Sequence, residues 1–232
     1  MSGRIRRRGF LKSSAATAGV VLAGPQILSA RNPNSKVNVA CIGVGGRGRA
    51  HVRGARNENI VALVDVDAAN LGAAAKGFPK AERFSDYRKM YDKMGDRIDA
   101  VSVATPDHNH ACAAMMAIKR GKHVYCEKPL TWSVAEARAL TEAARKHKVV
   151  TQMGNQGHCM SGYRVLCEWI QAGAIGNVIE THSWTNRPVW PQGIAKRPPS
   201  EPVPEGLNWD CWIGPAPFRE YHPGVHRFAW RG

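Results

Sequence analysis

Between residues 36 and 155 the chain alternates short apolar runs, rich in β-branched residues, with longer segments whose apolar residues recur every three or four positions. This alternation is typical of βαβ units around a parallel sheet. The apolar runs predict six strands, at residues 37–42, 60–64, 83–84, 100–104, 123–126 and 149–153. We therefore expect an α/β fold with a doubly wound parallel sheet of the Rossmann type over residues 36–155.

Other sequence patterns, between these apolar runs and after them, predict helices. Ser133 and Glu136 have the spacing of a capping box, and apolar residues follow at helical intervals. Residues 111–120 predict a second helix that ends at Gly121, where a left-handed residue would stop it. A third, amphipathic helix is predicted over residues 163–171 and is closed by Gly173. Alternation over residues 178–185 predicts one more strand.

Regular patterning fades toward the end of the chain. Residues 187–232 hold nine of the fourteen prolines, and residues 184–232 hold five of the seven tryptophans. A long irregular stretch within a compact domain is uncommon unless it lines a site or an interface. We expect residues 156–232 to begin an incomplete α+β second domain, cut short at the C-terminus.

The first thirty residues have the features of an export signal. Arg7 and Arg8 precede Phe10, Leu11 and Lys12, and a weakly hydrophobic segment follows over residues 15–22. This pattern resembles a twin-arginine (Tat) signal peptide over residues 1–30, which predicts a periplasmic or other extracytoplasmic location. The chain has no uncharged run of about 20 strongly apolar residues, so no stable membrane insertion is expected.

The charge and the cysteines exclude several other classes of protein. Lys and Arg number 33 against 18 Asp and Glu, a net charge of +15, but no run of Lys or Arg occurs after residue 12. We therefore expect no nucleic-acid partner. The six cysteines show no CxxC pair and are expected to be buried thiols. Cys126, His158 and Cys159 lack the spacing of zinc ligands, so no metal site is predicted.

A glycine motif follows the first strand directly and opens a helix. Gly43, Gly45 and Gly48 form G-x-G-x-x-G, with Gly46 and Arg47 between them. In this context the glycines allow a tight turn, a close approach to a pyrophosphate and close packing of the helix. Asp65, at the end of the second strand, is placed to accept hydrogen bonds from the ribose hydroxyls of NAD and to repel the additional phosphate of NADP. Asp67 stays open as a second candidate for the ribose contact.

Polar clusters follow three later strands, at residues 105–110, 127–129 and 154–158. Ligands of open α/β sheets bind at the carboxyl ends of the strands, so these clusters are expected to converge on the nucleotide.

With the glycine motif, Asp65 and the stretch 104–110, the sequence Glu127-Lys128-Pro129 resembles the Gfo/Idh/MocA family of NAD(P)-dependent oxidoreductases, here a Tat-exported branch. The resemblance implies NAD as cofactor, a sugar or polyol as substrate, and a homo-oligomer when the protein is full length. It also implies these roles: Lys128 touches the substrate hydroxyl, Glu127 and Asn155 contact the nicotinamide ribose, and Thr105, Pro106 and His110 line the nicotinamide side. The family's second catalytic motif, an Asp and a His, would fall beyond Gly232.

The resulting hypothesis is an NAD-dependent oxidoreductase that acts on a secondary hydroxyl of a sugar, polyol or glycoside. Hydride leaves for tightly bound NAD while Lys128 serves as acid or base. Trp184, Arg187 and Trp190 are candidate substrate contacts, since aromatic faces and a guanidinium suit a sugar ring. The alternatives are a glycosidase or epimerase that works by transient NAD oxidation, and a nucleotide-binding protein without catalysis.

Overall fold

The computed structural model describes residues 35–186, 196, 198–226 and 230. The chain divides into two units, residues 1–36 and residues 37–232, and the fold below is that of the second unit. The predicted signal peptide and the candidate contacts Arg187 and Trp190 lie outside the described residues.

The described residues form one six-stranded parallel sheet with the order β3-β2-β1-β4-β5-β6. This order is that of a doubly wound Rossmann sheet, so the predicted fold class is confirmed for this domain. All six predicted strands are present, with β6 displaced toward its C-terminal side. The strands are β1 Asn38–Ile42, β2 Asn59–Val64, β3 Glu82–Phe84, β4 Ala100–Val103, β5 His123–Glu127 and β6 Thr151–Gly154.

Helices follow the strands in sequence and begin at the carboxyl edge of the sheet. At the start of α5, the Ser133 hydroxyl accepts from the Glu136 N–H, and the Glu136 carboxylate accepts from the Ser133 N–H, both at 3.2 Å. The capping box is thereby confirmed. The α-helices are α1 Gly48–Gly54, α2 Ala68–Ala75, α3 Tyr87–Met94, α4 His110–Lys119, α5 Val134–His147, α6 Ser161–Gln171 and α7 Trp209–Ile213.

Two sequence predictions are corrected. The strand expected at residues 178–185 is wrong: that segment has no strand, and Ile179 is 96% exposed. An alternating pattern forms a strand only where a neighbouring strand completes the hydrogen-bond ladder. Buried thiols are confirmed for Cys41 and Cys126, where burial raises the pKa to about 11 and about 12. Cys159 is exposed, and the remaining three cysteines are only half-buried.

The core consists of apolar layers on the two faces of the sheet. On β1, Ala40 and Ile42 pack on one face, while Val39 and Cys41 pack on the other. A strand that is buried on both faces reads as a continuous apolar run, which is why the sequence pattern located it well. The sheet edge that carries the site is therefore rigidly supported.

A third apolar cluster lies over the carboxyl ends of the strands. It is built by residues 198–226, which we call the strap and which include α7. The strap buries Trp209, Trp212 and Tyr221, each about 6% exposed. Each large side chain buried in this way contributes about 1.5–3 kcal/mol, enough to order a segment with little regular structure.

Candidate functional site

The loop between β1 and α1 is shaped by its glycines. Gly43 has a φ of +78°, and a Cβ there would lie 2.6 Å from the Ala104 carbonyl oxygen. A Cβ on Gly48 would collide with the Gly43 carbonyl, so this glycine lets the helix start close to the strand. The tight turn predicted for Gly43 and the close packing predicted for Gly48 fit this geometry, while Gly45 lies against the side chain of Asn70.

Gly46 is the point where the loop opens. Its φ is +43°, and a Cβ built on it would meet no atom of the described part of the chain within 4 Å. The backbone therefore approaches free space at the N-terminal end of α1, where unpaired N–H groups favour an anion. These features fit the pyrophosphate of a dinucleotide.

Asp65 braces this loop from the end of β2. Its Oδ2 accepts from the N–H groups of Val44 and Gly45, both at 2.9 Å, and its Oδ1 accepts from the Asp67 N–H at 3.0 Å. Asp67 instead caps α2, where its carboxylate accepts from the Ala69 N–H at 2.9 Å. Both carboxylates line the same cavity, so both of the acids considered from the sequence stand beside the glycine loop.

A cavity of about 470 Å³ lies over the carboxyl ends of the first strands. Among the residues predicted from the sequence, seven line it: Gly43, Gly45, Gly46, Arg47, Asp65, Thr105 and Pro106. Asn109 also lines it, within the polar cluster predicted at residues 105–110. Sequence reasoning missed another group of lining residues: Asn70, Asp86, Tyr87, Cys211, Trp212, His226 and Trp230. The last four were signalled only by the Pro/Trp-rich composition of their segment, which predicted a site lining but no particular residue.

Glu127, at the end of β5, is the centre of a buried polar network. Its Oε1 accepts from Arg47 Nε at 2.7 Å and lies 3.2 Å from His51 Nε2, and its Oε2 accepts from the Lys128 N–H at 3.0 Å. The side chain is only 5% exposed. Burial opposes its charge, but the hydrogen bonds from Arg47 and His51 outweigh burial, and the pKa of Glu127 is held below its usual value.

His51 takes part in this network as a neutral ring. Burial lowers its pKa by more than the bond to Glu127 raises it. The Nε2–H then donates to Glu127, while the buried Nδ1 finds no hydrogen-bond partner among the residues that the structure describes. Glu127 is therefore fixed as a carboxylate by one cation and one neutral donor.

Lys128 follows directly and is exposed at the carboxyl edge of the sheet. Its backbone N–H is held by Glu127, so the buried carboxylate fixes the point from which the lysine side chain extends. Asn155, after β6, is also exposed on this side of the sheet order. Trp184 is 87% exposed and does not line the cavity, and Arg187 and Trp190 lie outside the described residues.

His110 joins two of the loops at this edge. Its ring is buried, with Nε2 2.8 Å from the Thr105 carbonyl and Nδ1 2.6 Å from the Pro129 carbonyl. The structure therefore places His110 beneath the loops that follow β4 and β5, where it ties them together.

Neither a metal site nor a membrane-spanning helix is found among the described residues. Within the described part of the chain, no group of three His, Cys, Asp or Glu side chains is arranged to hold a metal ion. Of the helices described, none combines the length and the apolar character needed to cross a membrane.

Comparison with known proteins places this geometry among NAD-binding oxidoreductases. Residues 37–155 match the sequence model of the Gfo/Idh/MocA family, described as an oxidoreductase family with an NAD-binding Rossmann fold. Inositol 2-dehydrogenase 3 of Saccharopolyspora erythraea is 32% identical over 162 residues, which cover 67% of this chain and 47% of that protein.

Two solved structures share the fold. Myo-inositol 2-dehydrogenase from Lactobacillus plantarum aligns with a TM-score of 0.57 at 26% identity, covering 62% of this chain and 44% of that one. The WlbA (WbpB) dehydrogenase from Thermus thermophilus, solved in complex with NAD and UDP-GlcNAcA, aligns with a TM-score of 0.54 at 25% identity, covering 59% and 47%. The chain spans about half the length of the curated relatives it matches.

Proposed function

The chain belongs to the Gfo/Idh/MocA family of NAD-binding oxidoreductases, and on that premise we propose that it is an NAD-dependent oxidoreductase acting on a secondary hydroxyl of a sugar, polyol or glycoside. The observation that carries this proposal is the position of Lys128 at the same sheet edge as the glycine loop and Asp65.

The residues at the carboxyl edge of the sheet, some in the cavity and some beyond it, suit each part of the cofactor. The open backbone at Gly46 and the N-terminal end of α1 would hold the pyrophosphate, and Asp65 would accept from the ribose hydroxyls of the adenosine. A dinucleotide placed across a doubly wound sheet extends its nicotinamide toward the second half of the strands, β4 to β6. That half carries Thr105, Lys128 and Asn155.

The protein's part in the reaction is to position the alcohol and to move its proton. NAD, when bound, supplies the acceptor for the hydride that leaves the alcohol carbon. The Lys128 amine takes the hydroxyl proton in the oxidative direction and returns it in the reductive direction. Glu127 positions Lys128 through its backbone N–H, and Arg47 and His51 hold Glu127 in place.

A polyol substrate is supported by relatives whose names specify inositol. The Saccharopolyspora protein and the Lactobacillus enzyme are both inositol 2-dehydrogenases. Inositols and pyranose sugars both present secondary hydroxyls on a six-membered ring, so both classes belong in the substrate screen.

We further propose that residues 1–30 direct Tat export and that residues 156–232 begin a substrate-binding and oligomerisation domain. The second proposal is supported by α6, which leaves Leu166 and Trp169 more than half exposed. The Tat route carries folded proteins, so an exported enzyme would leave the cytoplasm with its cofactor already bound. Substrate contacts by Trp184, Arg187 and Trp190 belong to this proposal.

The test is an activity screen of the full chain with Lys128→Met beside the wild type. Inositols, hexoses and glycosides are offered with NAD, and NADH formation is followed by absorbance. We expect Lys128→Met to lower kcat by at least about a hundredfold, the usual size of a general acid–base contribution, while NAD binding is retained. Lys146→Met is the matched control, because Lys146 is exposed on α5. Turnover by Lys128→Met at the wild-type rate would refute the assignment.

A further inference from the structure

The strap is docked first onto the residues that follow β2. The Ala68 N–H donates to the Gly206 carbonyl at 2.9 Å, and the Asn208 N–H donates to the Val66 carbonyl at 2.8 Å. These bonds start immediately beyond Asp65. The strap therefore crosses the sheet edge next to the acid that faces the ribose.

The strap is also attached to the segments that follow β3 and β4. The Trp212 carbonyl accepts from Asn109 Nδ2 at 3.1 Å and lies 2.9 Å from His108 Nε2. Arg88, in the first turn of α3, donates to the Cys211 sulfur at 3.7 Å. Together with the bonds after β2, these contacts fasten the strap to the segments that follow β3, β2 and β4, so that it spans the carboxyl end of β1 between them.

Aromatic rings give the strap its rigidity and its inner face. Trp209 stacks on Trp212 with ring centroids 4.6 Å apart, and Tyr221 meets Trp209 edge-on at 5.2 Å. His226 lies 5.7 Å from Trp212, and both of these side chains line the cavity. The wall that the strap adds to the cofactor site is thus aromatic and firmly packed.

The position of the strap relative to the two halves of a dinucleotide is asymmetric. In a doubly wound sheet the first mononucleotide unit, β1 to β3, takes the adenosine half, with its ribose on the acid after β2. The strap is attached in that half, after β2 and β3, and reaches across β1 to the loop after β4, whereas Lys128, at the end of β5, is exposed. The strap therefore covers the adenosine end of the site, and the lysine where the reaction is proposed to occur is left exposed.

We propose that the strap closes over the adenosine half of bound NAD and retains the cofactor between turnovers, with Trp212 and His226 forming the wall against the nucleotide. This inference rests on the proposed NAD-dependent function and specifies how the cofactor is held. An aromatic wall suits a purine, because its faces pack against adenine without requiring a particular polar partner. Substrates then exchange at the Lys128 end while the nucleotide stays in place, and the NADH formed by oxidation of one alcohol is returned to NAD by transfer of the hydride to a carbonyl substrate that binds next at the same end.

Hydrogen exchange of the full wild-type chain, with and without saturating NAD, tests the proposal without any substitution. We expect NAD to slow exchange in peptides covering residues 43–52 and also in peptides covering 206–216, while peptides from α5 stay unchanged. Protection of the glycine loop without protection of the strap would overturn the strap's role but leave the cofactor assignment standing. Protection of neither region would refute NAD binding itself.

Release of NADH, measured by chasing its fluorescence with excess NAD, gives a second test. Trp212→Ala removes the wall, and Gly214→Ala displaces the strap, because Gly214 has a φ of +54° and an added Cβ would collide with the Asn109 side chain. Each is expected to release NADH at least about tenfold faster than the wild type, a change of about 1.4 kcal/mol. Trp132→Ala is the matched control, since Trp132 is 75% exposed. Rates within twofold of the wild type in variants with native circular dichroism would overturn the proposal.

Discussion

Replacing Glu127 by Gln tests the buried network beneath the candidate catalytic lysine. The carboxylate accepts from Arg47 and His51 on one oxygen and from the Lys128 N–H on the other. A glutamine has the same shape but turns one acceptor into an NH2 group. Whichever way the amide is oriented, that NH2 group faces a donor.

The size of the effect follows from two contributions. The ion pair with Arg47, whose side chain is 44% exposed, becomes a bond to a neutral amide, a loss of about 1 kcal/mol. A buried donor facing another donor costs about 1–3 kcal/mol more, and the side chain is only 5% exposed, so water cannot repair the mismatch easily. We expect Glu127→Gln to lower the free energy of unfolding by about 2–4 kcal/mol.

Urea unfolding followed by circular dichroism measures this loss, with Glu142→Gln as the matched control because Glu142 is exposed on α5. The pH dependence adds a second criterion. The pKa of Glu127 lies below the ordinary 4.5, so the stability from its ionisation is present above pH 4.5 and is lost as the pH falls through the folded value. The difference in the free energy of unfolding between wild type and Glu127→Gln should therefore decrease as the pH falls below 4.5. A difference below about 0.5 kcal/mol at neutral pH, or one that stays the same below pH 4.5, would refute the reasoning.

Three further predictions concern the same sheet edge. Asp65→Asn should weaken NAD binding at least about tenfold and improve the preference for NADP relative to wild type, as measured by fluorescence titration with each cofactor. Gly72 lies in the middle of α2, where a Cβ would meet no described atom within 4 Å, so Gly72→Ala should raise the free energy of unfolding by about 0.5–1 kcal/mol. Gly48→Ala should lower it, because the added Cβ would collide with the Gly43 carbonyl. Changes of the same sign in urea unfolding would contradict this. Burial lowers the pKa of His51 from 6.5, so stability should fall as the pH drops below 6.5, and this slope should be shallower in His51→Asn.

The sheet and the glycine loop were predictable because their signals are local. A strand that is buried on both faces is apolar throughout, and the glycines of the loop follow one such strand within six residues. The same locality explains the wrong strand at residues 178–185. Its alternating pattern is genuine, but a strand also needs a neighbour, which a pattern along the chain does not specify.

The strap and the network around Glu127 depend on contacts between distant residues. His108 and Trp212 are 104 positions apart, and Arg47 and Glu127 are 80 apart. The sequence located Arg47 in the glycine motif and Glu127 beside Lys128, but no local pattern joins the two. Composition alone indicated that the Pro/Trp-rich segment lines a site, and packing decided which side chains face the cavity.

Asp65 constrains how this protein can evolve. One carboxylate both lines the cavity and holds the N–H groups of Val44 and Gly45 that set the shape of the glycine loop. A mutation that removes this carboxylate therefore also releases the two N–H groups that hold the glycine loop in shape. If Asp65 contacts the ribose as proposed, coenzyme preference and loop geometry depend on the same side chain, and a single substitution there changes both.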